Sequence, residues 1–484
     1  MRTIIISRIS DPAAFGILCA GLIATPSLPA AVYDYHIAVD ASLSRLEVTA
    51  RFRAPVTDIT ARSADAAKFL LEAQDCVDGR KLRVRSRRIM TPGDGVSCLS
   101  YTVDLQKAAK AERRNQLLHS SNVIASPTVW MWRPRLGGDD EVRVTFALPD
   151  DVQISVPWRP MQSDESVYQL TASPQSGSAV AIFGRFDSSV ATIAGARLRI
   201  DTLRSWQRVD ADAVVDWVRE AANNVTLTYG RFPNPAARVV VFPIGSSRSR
   251  SDSPVYFGRV VRDGGETVEL LIDPDEPTEA FYDDWTATHE LSHMMLPFVH
   301  SEQRWLSEGF AQYYQNVLLA RAGRYTQLDA WQKLHDGFER GRSSVPRLSP
   351  NQAAGGGERN SRMKVYWSGA ALALMADVEL RRRSNGAESL DAVLGQFQRC
   401  CLPSQQSWTG EELFAAFDSF LQEPLFMNLY RLHADSAGFP DVRPLLQRLG
   451  VVVEQGEVSL DDDAELVEIR AALTARRYTD GSDR

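Results

Sequence analysis

Cysteine is scarce, with five in 484 residues, so packing rather than cross-linking must hold the fold together. Positive charge is not in excess either: 54 Lys and Arg face 61 Asp and Glu, leaving a net charge of -7. A chain of this balance advertises no basic surface for a phosphate backbone, which argues against a nucleic-acid partner. Long apolar runs are missing too, so no membrane span is expected in the mature chain. Histidine is rare, at seven residues, which gives weight to any place where two of them are regularly spaced. What is present is 44% apolar residues over a length suited to two or three domains. Disordered and fibrous classes are excluded.

The first 31 residues read as a secretory signal peptide. Arg2 and Arg8 precede an uncharged run from Ala13 to Ala24, too short to span a bilayer, and small residues up to Ala31 follow. Leu18 before Cys19 argues against a lipoprotein site. The mature chain, from Val32, is therefore expected in the periplasm or outside the cell. Export permits disulfides. Cys76 and Cys98 can close a loop, a pairing left open, whereas the neighbours Cys400 and Cys401 are expected as two thiols.

From Val32 to about Thr202 the apolar period is two, as in Leu46, Val48, Ala50, Phe52 and again in Val142, Val144, Phe146, Leu148. This predicts an N-terminal antiparallel β domain over 32–204, interrupted by a helical segment from Leu105 to Leu118. Trp130, Met131 and Trp132 read as packing residues. Beyond 205 the period lengthens: Val214, Trp217, Val218, Ala221 and Val225 share a helical face behind an Asp210 or Asp212 cap. Val239–Phe242 and Thr267–Ile272 read as strands, and helical patterns then dominate to residue 450. The whole is an α+β multidomain chain. Its divisions are expected at 205–400 and 401–484, the latter helical with an acidic tail. The basic loop Ser246–Ser251 reads as a solvated turn, and Ser349–Ser361 as a connector.

The sharpest chemical signal is His289-Glu290-Leu291-Ser292-His293. Histidines four apart on a helix point from one face and can both present nitrogen to one zinc ion, with Glu290 beside a metal-activated water. Pro297 forbids the helix to continue. A catalytic zinc needs a third protein ligand and one open position. His300 is one candidate, but the spacing of the three-histidine class places Leu296 and Val299 where its glycine and histidine belong. Glu308, in the amphipathic segment Trp305–Tyr314, completes a His, His, Glu set instead.

These residues resemble the gluzincin metallopeptidases, and most closely the glycyl aminopeptidase family. A helix like Trp305–Gly323 follows the zinc-binding helix there, and Tyr366-Trp367-Ser368-Gly369-Ala370-Ala371, continuing through Asp377, Arg381, Gly386 and Ser389-Leu390-Asp391, is similar to that family's tyrosine-bearing helix. The likeness extends over most of the mature chain. It implies a thermolysin-like zinc catalytic domain with a helical C-terminal domain, one Zn2+, a peptide or protein substrate, and removal of residues from free N-termini. Endopeptidase action and an inactive zinc-containing binding protein are the alternatives. The resemblance makes Tyr366 the donor to the oxyanion, a role that suits a phenol near the metal. The family's Gly-Gly, Glu-His segment on the substrate-binding edge strand survives here as Gly264-Gly265-Glu266-Thr267, so Glu266 is the candidate for the substrate's amine. Only Val452–Arg484 remains where that family commonly carries a PDZ domain.

Overall fold

The computed structural model describes residues 31–477, apart from 119–121, 138–139, 173, 175–177, 206–208, 245–252 and 357–359. The expected signal segment, save Ala31, and the basic loop Ser246–Ser251 lie outside the described residues.

The N-terminal part is built on a seven-stranded sheet in which Val32–Val39 lies between Arg45–Val56 and Glu141–Ala147. Alternation explains it: Leu46, Val48, Ala50 and Phe52 are buried, and the residues between them face outwards. Ile37, Trp130 and Trp132 join the same core. One pairing departs from the antiparallel expectation, because Val32–Val39 runs parallel to Glu141–Ala147. A two-residue period fixes the faces of a strand but not the direction of its neighbour. Leu105–Ala111 and Arg113–Leu118 are helical as expected, and Cys76 is disulfide-bonded to Cys98.

The second sheet has strands on both sides of the division expected at residue 205. Its order is Phe186–Ile193, Ala196–Leu203, Ala236–Pro243, Glu266–Ile272, Val255–Arg262. Ala196–Leu203 and Ala236–Pro243 pair in parallel, and the helix Ala211–Thr226, capped by the Asp210 carboxylate, makes the crossover that such a pair requires. A cut at 205 would thus separate hydrogen-bonded strands. Val255–Arg262, which among the described residues pairs with one neighbour, is an edge strand, and it runs antiparallel to Glu266–Ile272.

Helices pack on this sheet and share its core, in which Leu198, Val218, Val239, Leu291, Phe310 and Leu374 are buried together. Trp305–Arg321 lies along Arg362–Arg383 so closely that neither Gly309 nor Gly369 has room for a Cβ: each faces the other's backbone. Tyr313 donates to Asp377 at 2.9 Å, joining these two helices, and Tyr314 donates to Asp391 at 3.0 Å, tying Trp305–Arg321 to Leu390–Cys401.

Two further expectations are corrected. Cys400 is bonded to Cys401; the pair closes its helix, where the last carbonyls are released from the helical ladder and the backbone can adjust. Ser349–Ser361 is not a plain connector, since Pro350–Gly355 is a helix with a Ser349/Gln352 capping box. The acidic tail folds back as a hairpin, Val451–Glu454 with Glu457–Leu460, and a helix, Val467–Thr474. Buried Val458, Leu466 and Leu473 carry that return, and the buried Arg470 guanidinium donates to the carbonyls of Leu449, Gly450 and Asp461.

Candidate active site

The helix Thr286–Ser292 starts behind Asp284, whose carboxylate accepts from Thr286 N at 2.7 Å. It closes through a 3-10 turn, His293–Met295, just before Pro297. Every residue from Thr286 to Met295 is buried. His289 and His293 therefore sit one turn apart on a helix sandwiched between the sheet and Trp305–Arg321.

Glu308, on the first turn of that next helix, meets them. Its Oε2 lies 3.6 Å from His289 Nε2 and 3.4 Å from His293 Nε2, and one ligand atom from each of the three residues falls within 4.8 Å of the others. Donors at about 2.0 Å around a tetrahedral zinc are separated by roughly 3.3 Å. The donor set fits such an ion, and Glu308 Oε2 is buried without a hydrogen-bond partner. His300, by contrast, caps a 3-10 turn and is exposed.

The other imidazole nitrogens are held. His289 Nδ1 is 2.8 Å from Gln315 Oε1, and His293 Nδ1 is 3.0 Å from Ser307 Oγ. An Nδ1–H donated to Gln315 leaves Nε2 of His289 with its lone pair towards Glu308, which is the tautomer a metal requires. Neither Gln315 nor Ser307 was assigned a role from sequence. Gln315 stands seven residues after Glu308, on the same helical face, and that spacing is the signal that could have found it.

Burial pushes the Glu290 carboxyl up to about 7, against the opposing influence of His289 and Arg362. For Glu308 burial acts upwards, and the imidazoles of His293 and His289 outweigh it, holding the carboxyl below the usual range. Two neighbouring carboxylates are thus driven apart, one towards proton exchange and one towards permanent charge. Tyr366, on Arg362–Arg383, stacks on His289 with ring centroids 5.9 Å apart. Burial, and then the charge of Glu308, raise its phenol above the ordinary value, so it stays protonated as a donor. The edge strand closes the opposite side, with Gly258 against Glu290.

Glu266 is not brought into this cluster. Gly264, at φ +78, turns the hairpin that precedes Glu266–Ile272, so Gly264-Gly265 marks the turn rather than the edge strand. The Glu266 carboxylate is held by Arg262 at 3.1 Å, and Arg262 Nη2 donates to the carbonyls of His293 at 3.0 Å and Leu296 at 3.1 Å. Arg262, missed from sequence, clamps the end of the histidine helix.

Residues 297–369, which include Glu308 and Tyr366, match the family model of the M61 glycyl aminopeptidases. The resemblance to the glycyl aminopeptidase family holds. No curated protein matches the chain. Among solved structures, an aminopeptidase N family protein from Idiomarina loihiensis is 13% identical with a TM-score of 0.60, over 87% of this chain and 79% of its own. A mutant two-domain M1 zinc metallopeptidase bound to L-arginine is 14% identical with a TM-score of 0.52, over 85% of this chain and 94% of its own. At these identities the likeness is one of fold, a mixture of sheets and helices similar to that of multidomain M1 peptidases. Among the described residues no helix is long and apolar enough to cross a membrane.

Proposed function

We propose that this protein is an exported zinc-dependent peptidase that acts as an aminopeptidase on peptide or protein substrates. The observation that carries the reading is the convergence of His289, His293 and Glu308 beside a buried Glu290. The match to a glycyl aminopeptidase model supports the choice of reaction. Export rests on the N-terminal sequence pattern alone. The proposed organisation is a β-rich unit to about residue 185, a thermolysin-like catalytic unit from there to about 400, and a helical unit beyond.

His289, His293 and Glu308 are the proposed holders of one zinc ion, which when bound supplies Lewis acidity to the scissile carbonyl and lowers the pKa of water. Glu290 takes a proton from the attacking water. It returns that proton to the departing amine as the C–N bond breaks. The Tyr366 phenol donates to the carbonyl oxygen as negative charge grows on it. Gln315 and Ser307 keep both imidazoles in the required tautomer and orientation.

A second reading, endopeptidase action, is favoured by one observation: Glu266, the candidate for a substrate's amine, is paired with Arg262 and is not among the residues brought together at the histidine cluster. A peptide mixture, half of it N-acetylated, incubated with and without a zinc chelator and analysed by mass spectrometry, separates the two. Chelator-sensitive loss of single residues from free N-termini establishes the aminopeptidase. Internal cuts in both halves establish the endopeptidase, and absence of all cleavage by zinc-loaded protein overturns both.

A further inference from the structure

A cavity of about 380 Å3 lies beside the histidine cluster. Gln315, which holds His289, and Tyr366, which stacks on it, both line this cavity. So does Trp285, packed edge-on to His289 with centroids 5.4 Å apart. Three cations complete the lining, Lys333, Arg340 and Arg362, and no carboxylate lines it among the described residues. In a chain of net charge -7, this is a local reversal of sign.

The cations are placed rather than loose. Lys333 and Arg340 are seven residues apart on the helix Gln327–Ser343 and share a face. Lys333 Nζ sits 4.8 Å from the Tyr325 ring centroid, Arg340 5.4 Å from that of Trp367, and Arg362 5.3 Å from that of Tyr366. An aromatic face orients a cation without neutralising it. The acids of the same helix have partners outside the cavity, Asp329 at the Thr326 cap, Asp336 with Gln332 at 2.8 Å and Glu339 with Arg342 at 3.1 Å, although the charge of Asp329 also acts on Lys333 and that of Glu290 on Arg362.

We propose that this cavity is a substrate subsite for a carboxylate, so that the enzyme prefers peptides carrying a negative charge next to the scissile bond. The inference rests on the peptidase reading and adds substrate class to it. A carboxylate entering the cavity meets two guanidinium groups and an ammonium, with Gln312 and Asn316 as further polar partners. A substrate ammonium finds no counter-charge there. The carboxylate can belong to an Asp or Glu side chain or to the C-terminus of a short peptide, and the experiment distinguishes these sources.

The test compares kcat/KM for matched peptides with Glu, Gln or Lys beside the scissile bond, each with a free or an amidated C-terminus. Glu is expected to exceed Gln by about tenfold, and Lys to be the poorest. A preference that follows the free C-terminus instead assigns the cavity to that group. In a Lys333→Gln, Arg340→Gln double variant the Glu/Gln ratio should fall towards one. Charge reversal by Lys333→Glu with Arg340→Glu should turn the preference towards Lys. Both residues are exposed, and circular dichroism checks that the variants fold. Equal rates for the charged and neutral peptides, or an acid preference that survives both variants, would overturn the subsite. If no peptide is cleaved, the peptidase reading falls by itself. Calorimetry with Ala-Glu-Ala against Ala-Gln-Ala, on protein carrying Glu290→Gln, then decides the subsite, and equal binding rejects it.

Discussion

Gly258 is pressed against Glu290: a Cβ built on the glycine would stand 2.5 Å from Glu290 Cγ and 2.8 Å from its Oε1. The edge strand thus sets the position of the proposed base. Gly258→Ala must displace the Glu290 side chain or the strand. Because misplacing a catalytic group by about 1 Å can cost on the order of 10²-fold, kcat should fall steeply while bound zinc, measured by atomic absorption, stays near one ion per chain. Unchanged kcat would show that Glu290 is not positioned from this side.

Glu290→Gln keeps the shape of the side chain and removes the proton acceptor. Zinc content should be retained and turnover lost, as followed by parallel metal analysis and peptide hydrolysis. A fully active variant would remove Glu290 from the mechanism.

Tyr366→Phe deletes one hydroxyl from a ring that stays stacked on His289. By comparison with other losses of an oxyanion donor, kcat should drop on the order of 10²- to 10³-fold with KM little changed. A rise in KM alone would reduce Tyr366 to packing.

Gln315→Leu and Ser307→Ala leave all three metal-binding side chains in place and strip the hydrogen bonds from their far nitrogens. Zinc affinity, titrated against a chelating dye, should weaken by about 10- to 100-fold in each case. Affinity equal to that of the unaltered protein would mean that the two contacts do not orient the imidazoles.

Lys364 is fully buried, and its Nζ has no hydrogen-bond partner among the described residues. Burial lowers its pKa from 10.5 to about 8. Below pH 8 both the folded and unfolded chains carry the proton, and the folded state bears the whole cost of an unpaired charge. Between pH 8 and 10.5 the folded state sheds the proton first, so stability rises with pH across that window. Lys364→Met should therefore stabilise the protein near pH 7 by on the order of 2 kcal/mol, an advantage that shrinks by pH 10. Thermal melts of both proteins at pH 7 and 10 measure it, and a destabilised variant at pH 7 would contradict it.

Chemistry compressed into a short stretch of chain was the most legible from sequence. His289, Glu290 and His293 lie within five residues, and a helix period is enough to align the two imidazoles. Glu308 follows closely because the connecting segment is short. Relations across the chain were harder to see. The alternation at Leu198 and Ile200 announces a strand but cannot say that its partner is Ala236–Pro243 rather than the earlier sheet. Gly264-Gly265 was placed by resemblance on the edge strand, where the backbone makes it a turn. Gln315, Ser307 and Arg262 act through hydrogen bonds that leave no periodic trace. Lys333, Arg340 and Arg362 gather around one cavity only after two helices have packed.

The backbone contact between Gly309 and Gly369 adjoins both halves of the chemistry, since Glu308 is the residue before the first glycine and Tyr366 lies three before the second. No side chain cushions the two helices at that point, so the reach of the phenol towards the ligand set is gauged by a pair of missing methyl groups. A methyl restored at either glycine would act as a shim, widening the gap between Glu308 and Tyr366 without touching either of them.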